Sequence, residues 1–100
     1  MESIELWMQI VLSDLRNIYY GLQGIIALKD LEFLGDIEKS LKQLEEKLKS
    51  LEDYKEVNIL EHLTFVNSLI NRLRKEDYDI SKGDIDSRLK ELDDYLPRSY

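Results

Sequence analysis

The sequence predicts an all-α protein: an antiparallel four-helix bundle built from two similar helical hairpins, with helix one the longest. Three observations predict it. Apolar residues recur at alternating steps of four and three in four separate stretches, a spacing that lines them up on a helix and not on a strand. Polar or Gly-Asp segments interrupt the pattern three times, as turns would. The second half of the chain also repeats the first at a fixed offset. The whole chain, 1–100, reads as one helical domain, with hairpin one at about 3–55 and hairpin two at about 58–96.

Helix one carries the most continuous seam: Ile4, Met8, Val11, Leu15, Ile18, Leu22 and Ile25. Leu12, Tyr19 and Ile26 fall beside it, which makes the stripe wide enough to be covered on two sides. Ser3 is placed to cap its start, with Glu5 in the first turn where a negative charge meets exposed amides. Gly21 and Gly24 lie inside the pattern, each costing about 1 kcal/mol relative to Ala. Their spacing on nearly one face predicts that another helix comes close there, the alternative being a bend in the helix. The helix ends near Lys29 or near Leu34. Gly35 supplies a left-handed turn residue, while Asp36 or Asp30 serves as the next cap.

Helix two follows on Ile37, Leu41, Leu44, Leu48 and Leu51, and residues 53–57 form a short connection. Asn58 and Glu61 make a capping box for helix three, whose seam is Ile59, Leu63, Val66, Ile70 and Leu73. The turn EDYDISKGD leads into helix four, on Ile85, Leu89, Leu92 and Leu96, and Pro97 stops it. Leu15, Leu44, Ile70 and Leu92, one from each seam, should all be inside.

The segments GDIEKSLKQLEEKL from Gly35 and GDIDSRLKELDDYL from Gly83 share their turn, their Ile and all three Leu. The same offset of 48 residues superposes Val11 on Ile59, Leu15 on Leu63, Ile18 on Val66, Leu22 on Ile70 and Ile25 on Leu73. The copies differ in length, roughly 40 Å for helix one against about 20 Å for helix four. Part of helix one, around Ile4, Trp7, Met8 and Val11, is therefore a candidate interface without cover from its own chain.

Composition limits the function. A formal charge of −7 disfavours binding driven by phosphates. With no cysteine, neither disulfides nor thiolate chemistry is available. The start of the chain reads as neither a secretion signal nor a membrane span, because its apolar residues alternate with Gln9, Ser13, Asp14 and Arg16. A cytoplasmic setting and no membrane partner are the expectation.

No reactive constellation stands out. His62 is the single histidine, without a nucleophile motif nearby, and reads as a surface or half-buried helix residue. Asp77, Asp79, Ser81, Asp84 and Asp86 crowd one turn, but Lys82 and Arg88 occupy the positions where a calcium loop needs Gly and Glu. His62 follows Ile59 by three, so the Glu-x-x-His pair of di-metal bundles is missing. No cofactor or metal is expected, and no enzyme.

The run LRNIYYGLQGIIAL followed by a capped second helix resembles the dimerising hairpin of sensor kinases and sporulation-type phosphotransferases, over about a third of the chain. Those families carry a phosphorylatable histidine a few residues before the Leu-Gln. Here Leu22 and Gln23 are preceded by Arg16 and Asn17, so the likeness implies a hairpin without phosphotransfer, as amphipathic helices reach by convergence.

The function expected from these features is a non-enzymatic, regulatory interaction protein that presents helical faces to a protein partner and forms a homodimer, with Ile4, Trp7, Met8 and Val11 at the interface. The alternative is an acidic, nucleic-acid-mimicking inhibitor of a nucleic-acid-binding protein, such as a viral anti-defence protein, with the carboxylates of helices two and four standing in for phosphates. Direct nucleic-acid binding through Arg72, Arg74 and Lys75 fits less well, because cations there neutralise the end of a helix dipole.

Overall fold

The structure, a computed structural model, describes residues 2–49 and 59–94, with side chains in the first helix from Gln9 onward. It contains α1 (Glu2–Leu28), a short 3-10 turn (Leu31–Phe33), α2 (Leu34–Lys49), α3 (Ile59–Arg74) and α4 (Lys82–Asp93). Among the described residues every regular element is helical, and no helix is long and apolar enough to cross a membrane. Leu51, residues 53–57, the Asn58 cap, Leu96 and Pro97 lie outside the described residues.

Side-chain pairs fix the topology as up-down-up-down. Asp14 of α1 meets Lys47 near the end of α2, while Gly21 meets Ile37 near its start, so α1 and α2 are antiparallel. Arg16 meets Asp93 and Gln23 meets Asp86, which sets α4 antiparallel to α1 as well. Glu61 and Arg88 tie the start of α3 to α4 in the same sense. With 27 residues, α1 is about 40 Å long at 1.5 Å per residue and accounts for the 43 Å length of the molecule.

The seams are the core. Leu15, Leu44, Ile70 and Leu92 are all buried, as are Val11, Ile18, Leu22 and Ile25 of α1 and Leu63, Val66 and Leu73 of α3. The flank of α1 is covered too, since Leu12 and Tyr19 are fully buried and Ile26 packs against the core. This is the geometry of a hub: α1 packs along α2 and α4 and also touches α3.

Both hairpin turns depart from the expected chemistry. Gly35 does not supply a left-handed residue. It lies in the first turn of α2, and among the described residues no glycine has a positive φ. The left-handed residues are Lys29 (φ 52°) and Glu76 (φ 57°). Each closes a Schellman motif: the Asp30 N–H donates back to Ile25 C=O at 3.3 Å, and the Asp77 N–H to Arg72 C=O at 3.0 Å. A left-handed residue lets the chain reverse while satisfying carbonyls that the helix end would otherwise orphan. Helix one therefore stops at Leu28, and Asp30 caps the following 3-10 turn by accepting from the Glu32 N–H at 2.9 Å. Ser3 lies within α1 and so does not cap it.

The two helical glycines divide. A Cβ on Gly21 would overlap Ile37 Cδ1, so α2 does come close there. Gly24 has open space above it and nothing in the chain that requires a glycine.

Candidate functional site

Of the four interface residues expected at the amino-terminal end, Val11 is completely buried within its own chain, because α2 runs beside α1 to the Lys47–Asp14 pair one turn away. It is a core residue and offers no anchor to a partner. The side chains of Ile4, Trp7 and Met8 lie outside the described residues.

The cations at the end of α3 are engaged. Arg72 Nε donates to Asp77 at 2.9 Å and its guanidinium also reaches the Asp79 carbonyl, while Arg74 pairs with Glu38 of α2 at 2.7 Å. These hydrogen bonds hold both guanidiniums above their usual range and the Asp77 and Glu38 carboxyls below theirs. Asp77 also accepts from the Asp79 N–H at 3.0 Å, so the acidic turn is braced from within. Among the described residues no three Asp, Glu or His side chains converge as metal ligands would.

His62 is where the sequence reading fails most clearly. It is not a surface or half-buried residue but a buried one, 1 % exposed, at the junction of α1, α3 and α4. Its Nδ1 lies 2.6 Å from the Tyr19 hydroxyl and its Nε2 lies 3.2 Å from a Glu91 carboxylate oxygen. The carboxylate can only accept, so Nε2 carries the ring proton and donates it, which leaves Nδ1 to accept from the Tyr19 O–H. Both His62 ring nitrogens and the Tyr19 hydroxyl thereby have partners, and among the described residues no buried side-chain polar atom lacks one.

The surroundings set its electrostatics. Burial pushes the His62 pKa down, opposed by the nearby Glu91 and Glu61 carboxylates and reinforced by Arg88. Burial likewise raises the Tyr19 phenol above its ordinary value. Arg88 lies 4.9 Å over the Phe65 ring and reaches Glu61 at 3.2 Å, closing the outside of the cluster. The chain of hydrogen bonds thus runs inward from the exposed Glu91 and ends at a hydroxyl sealed from solvent. Through these bonds it links α1, α3 and α4.

The missed signal was positional. His62 sits three residues after Ile59 and four before Val66, in line with Leu69 and Leu73, on the inner flank of α3. That spacing marks an inward position whatever residue occupies it.

The second feature is a cleft of about 410 Å³ where α1 approaches the turn between α3 and α4. Tyr20, Gln23, Gly24 and Ala27 of α1 line one wall. Ile80, Lys82 and Ile85 line the other, with Ile80 and Ile85 buried at its base. The Gln23 amide donates to Asp86 at 2.8 Å and so spans the two walls. Both hairpin turns lie at this end of the bundle, joined by the Tyr78 hydroxyl donating to Lys29 C=O at 3.4 Å. Large apolar side chains stand exposed nearby in sequence: Tyr20 at 53 %, Leu28 at 75 % and Phe33 at 54 %. The chain matches no protein-family model, no curated protein and no solved structure.

Proposed function

We propose that this chain is a cytoplasmic, non-enzymatic interaction protein that uses the turn end of its helical bundle to bind a protein partner. What supports the reading is exposed apolar surface around the first hairpin turn, where Leu28 and Phe33 are both more than half exposed. A partner that covers exposed large apolar groups removes their area from water, a gain of roughly 25 cal/mol per Å². Self-association belongs to the same proposal, through the amino-terminal part of α1 that carries Trp7.

The test is affinity capture from cells of the natural source, comparing wild type with the double variant Leu28→Ser, Phe33→Ser. Both side chains are exposed, so the variant should keep its thermal unfolding curve within a few degrees. A partner retained by wild type and lost by the variant supports the reading; identical captures by the two proteins overturn it. A wash at a few hundred millimolar salt separates the acidic-mimic alternative, since a phosphate-like surface would release its partner there and an apolar one would not.

A further inference from the structure

We infer that the outward face of α1, from Ile10 to Ala27, is the surface on which two copies of this chain pair with their first helices antiparallel, a reading that rests on the self-association proposed above and names the face that carries it. Asp14 and Gly21 meet α2, whereas Arg16 and Gln23 meet α4. Residues two apart stand about 200° apart around a helix, so α2 and α4 flank α1 on nearly opposite sides. Between these flanks Ile10, Ser13, Asn17, Tyr20, Gly24 and Ala27 recur at steps of three and four, a second seam turned away from the core. Ile10 is 40 % exposed and Tyr20 53 %, and Asn17, Gly24 and Ala27 are exposed as well.

The seam carries no charge, in contrast to the two helices beside it. At least half of the residues of α2 and α4 are charged, whereas Gln9–Leu28 carries only Asp14 and Arg16, each paired within the chain. Loss of charge around an exposed aromatic is the compositional mark of an interface core. A second copy fits because the seam complements its own reverse. On a two-fold axis crossing α1 between Ile18 and Tyr19, Ile10 of one copy faces Ala27 of the other, Ser13 faces Gly24, and Asn17 faces Tyr20. Each contact sets a larger side chain against a smaller one, and the space above Gly24, which nothing in its own chain fills, receives the second helix. The α2 edge adds complementary charge. Ser40, Gln43 and Lys47 line the groove beside α1, and exposed Asp36 stands one turn earlier in the same row. The same rotation lays the two α2 rows antiparallel, bringing the acidic end of one toward the basic end of the other.

Sedimentation equilibrium of the full chain at about 100 μM should show a dimer. Tyr20→Glu and, separately, Gly24→Leu should each weaken it about tenfold or more, with helical content by circular dichroism unchanged because both positions are exposed. Leu60→Glu, on the exposed side of α3, should leave the dimer intact. The lack of cysteine permits a direct test of direction. Under mild oxidation a mixture of the Ser13→Cys and Gly24→Cys proteins should form an interchain disulfide. Neither protein should cross-link to itself, since each position would lie about 16 Å along the axis from its own equivalent in the other copy. A monomer at that concentration, a dimer indifferent to both Tyr20→Glu and Gly24→Leu, a dimer dissociated by Leu60→Glu, or self-cross-linking of either cysteine variant as efficient as that of the mixture would overturn the inference. A dimer lost on Trp7→Ala and kept by Tyr20→Glu would overturn it too, while leaving self-association at the amino-terminal end. If wild type is a monomer but capture from cells still depends on Leu28 and Phe33, the interaction function stands and this pairing falls.

Discussion

The two hairpins start from nearly the same sequence pattern and bury it differently. At the offset of 48 residues, the seam pairs Val11 and Ile59, Leu15 and Leu63, Ile18 and Val66, Leu22 and Ile70, and Ile25 and Leu73 are buried in both copies. Beside the seam the copies diverge. Leu12 is fully buried, yet its counterpart Leu60 is 77 % exposed; Tyr19 is buried, and its counterpart Asn67 faces solvent. In exchange α3 buries His62 and Leu69 on its other flank, where α1 has Asp14 and Gly21. The lesson is that a shared seam gives each hairpin its fold, while the neighbours that each helix acquires decide which flank becomes interior. Because α1 is the hub, it is covered more widely than α3.

The widest gap is expected at the paired leucines. Leu12→Ala should cost about 2–5 kcal/mol in chemical denaturation, whereas Leu60→Ala should stay within about 0.5 kcal/mol of wild type. Equal losses would mean that the two helices are covered alike, and the asymmetry would be gone.

The polar link between the flanks comes next. Tyr19→Phe leaves His62 Nδ1 buried without a donor and should cost about 1–3 kcal/mol. His62 also gives the fold a pH dependence. Its pKa is depressed in the native state, so between that value and the unfolded value of about 6.5 the unfolded chain binds the extra proton. The contribution of His62 is fully present above about pH 6.5 and fades as pH falls below it. Thermal melts from pH 7 to 5 should show a steeper decline for wild type than for His62→Gln.

Glycine substitutions sharpen the contrast on a smaller scale. Gly24→Ala should stabilise by about 1 kcal/mol, and Gly21→Ala should lose that gain to the overlap with Ile37. Adding Ile37→Val to Gly21→Ala should restore part of it. Smallest of all, Lys29→Gly and Glu76→Gly relieve left-handed backbone in the two turns, and each should stabilise by about 0.5–1 kcal/mol. Opposite signs at the two turns would show that they are not the same motif.

Much of this architecture could be read in advance from residue spacing. The seams, the two-sided stripe of α1 through Leu12 and Tyr19, the close approach at Gly21 and the offset between hairpins all follow from one periodicity. Features that depend on distant partners could not be read. Nothing local to His62 announces Tyr19, 43 residues away, or the carboxylate of Glu91. The left-handed turn residues are not legible because glycine is the usual residue in that conformation, and here Lys29 and Glu76 adopt it instead. Val11 looked open because α1 outruns α4, a comparison of lengths that ignored how far α2 accompanies it. The cleft is not legible either, since its two walls, at 20–27 and 80–85, lie far apart in the sequence.

The Tyr19–His62 pair also sets a limit at the alkaline side. Because burial raises the phenol above its unfolded value of about 10, the stability it lends persists below that pH and drains away as hydroxide concentration climbs past it. In an ultraviolet titration, Tyr19 should ionise above the ordinary phenol range, and only as the bundle opens. A single proton held between two rings thus bounds the window of conditions in which these helices stay together, from the imidazole at one edge to the phenol at the other.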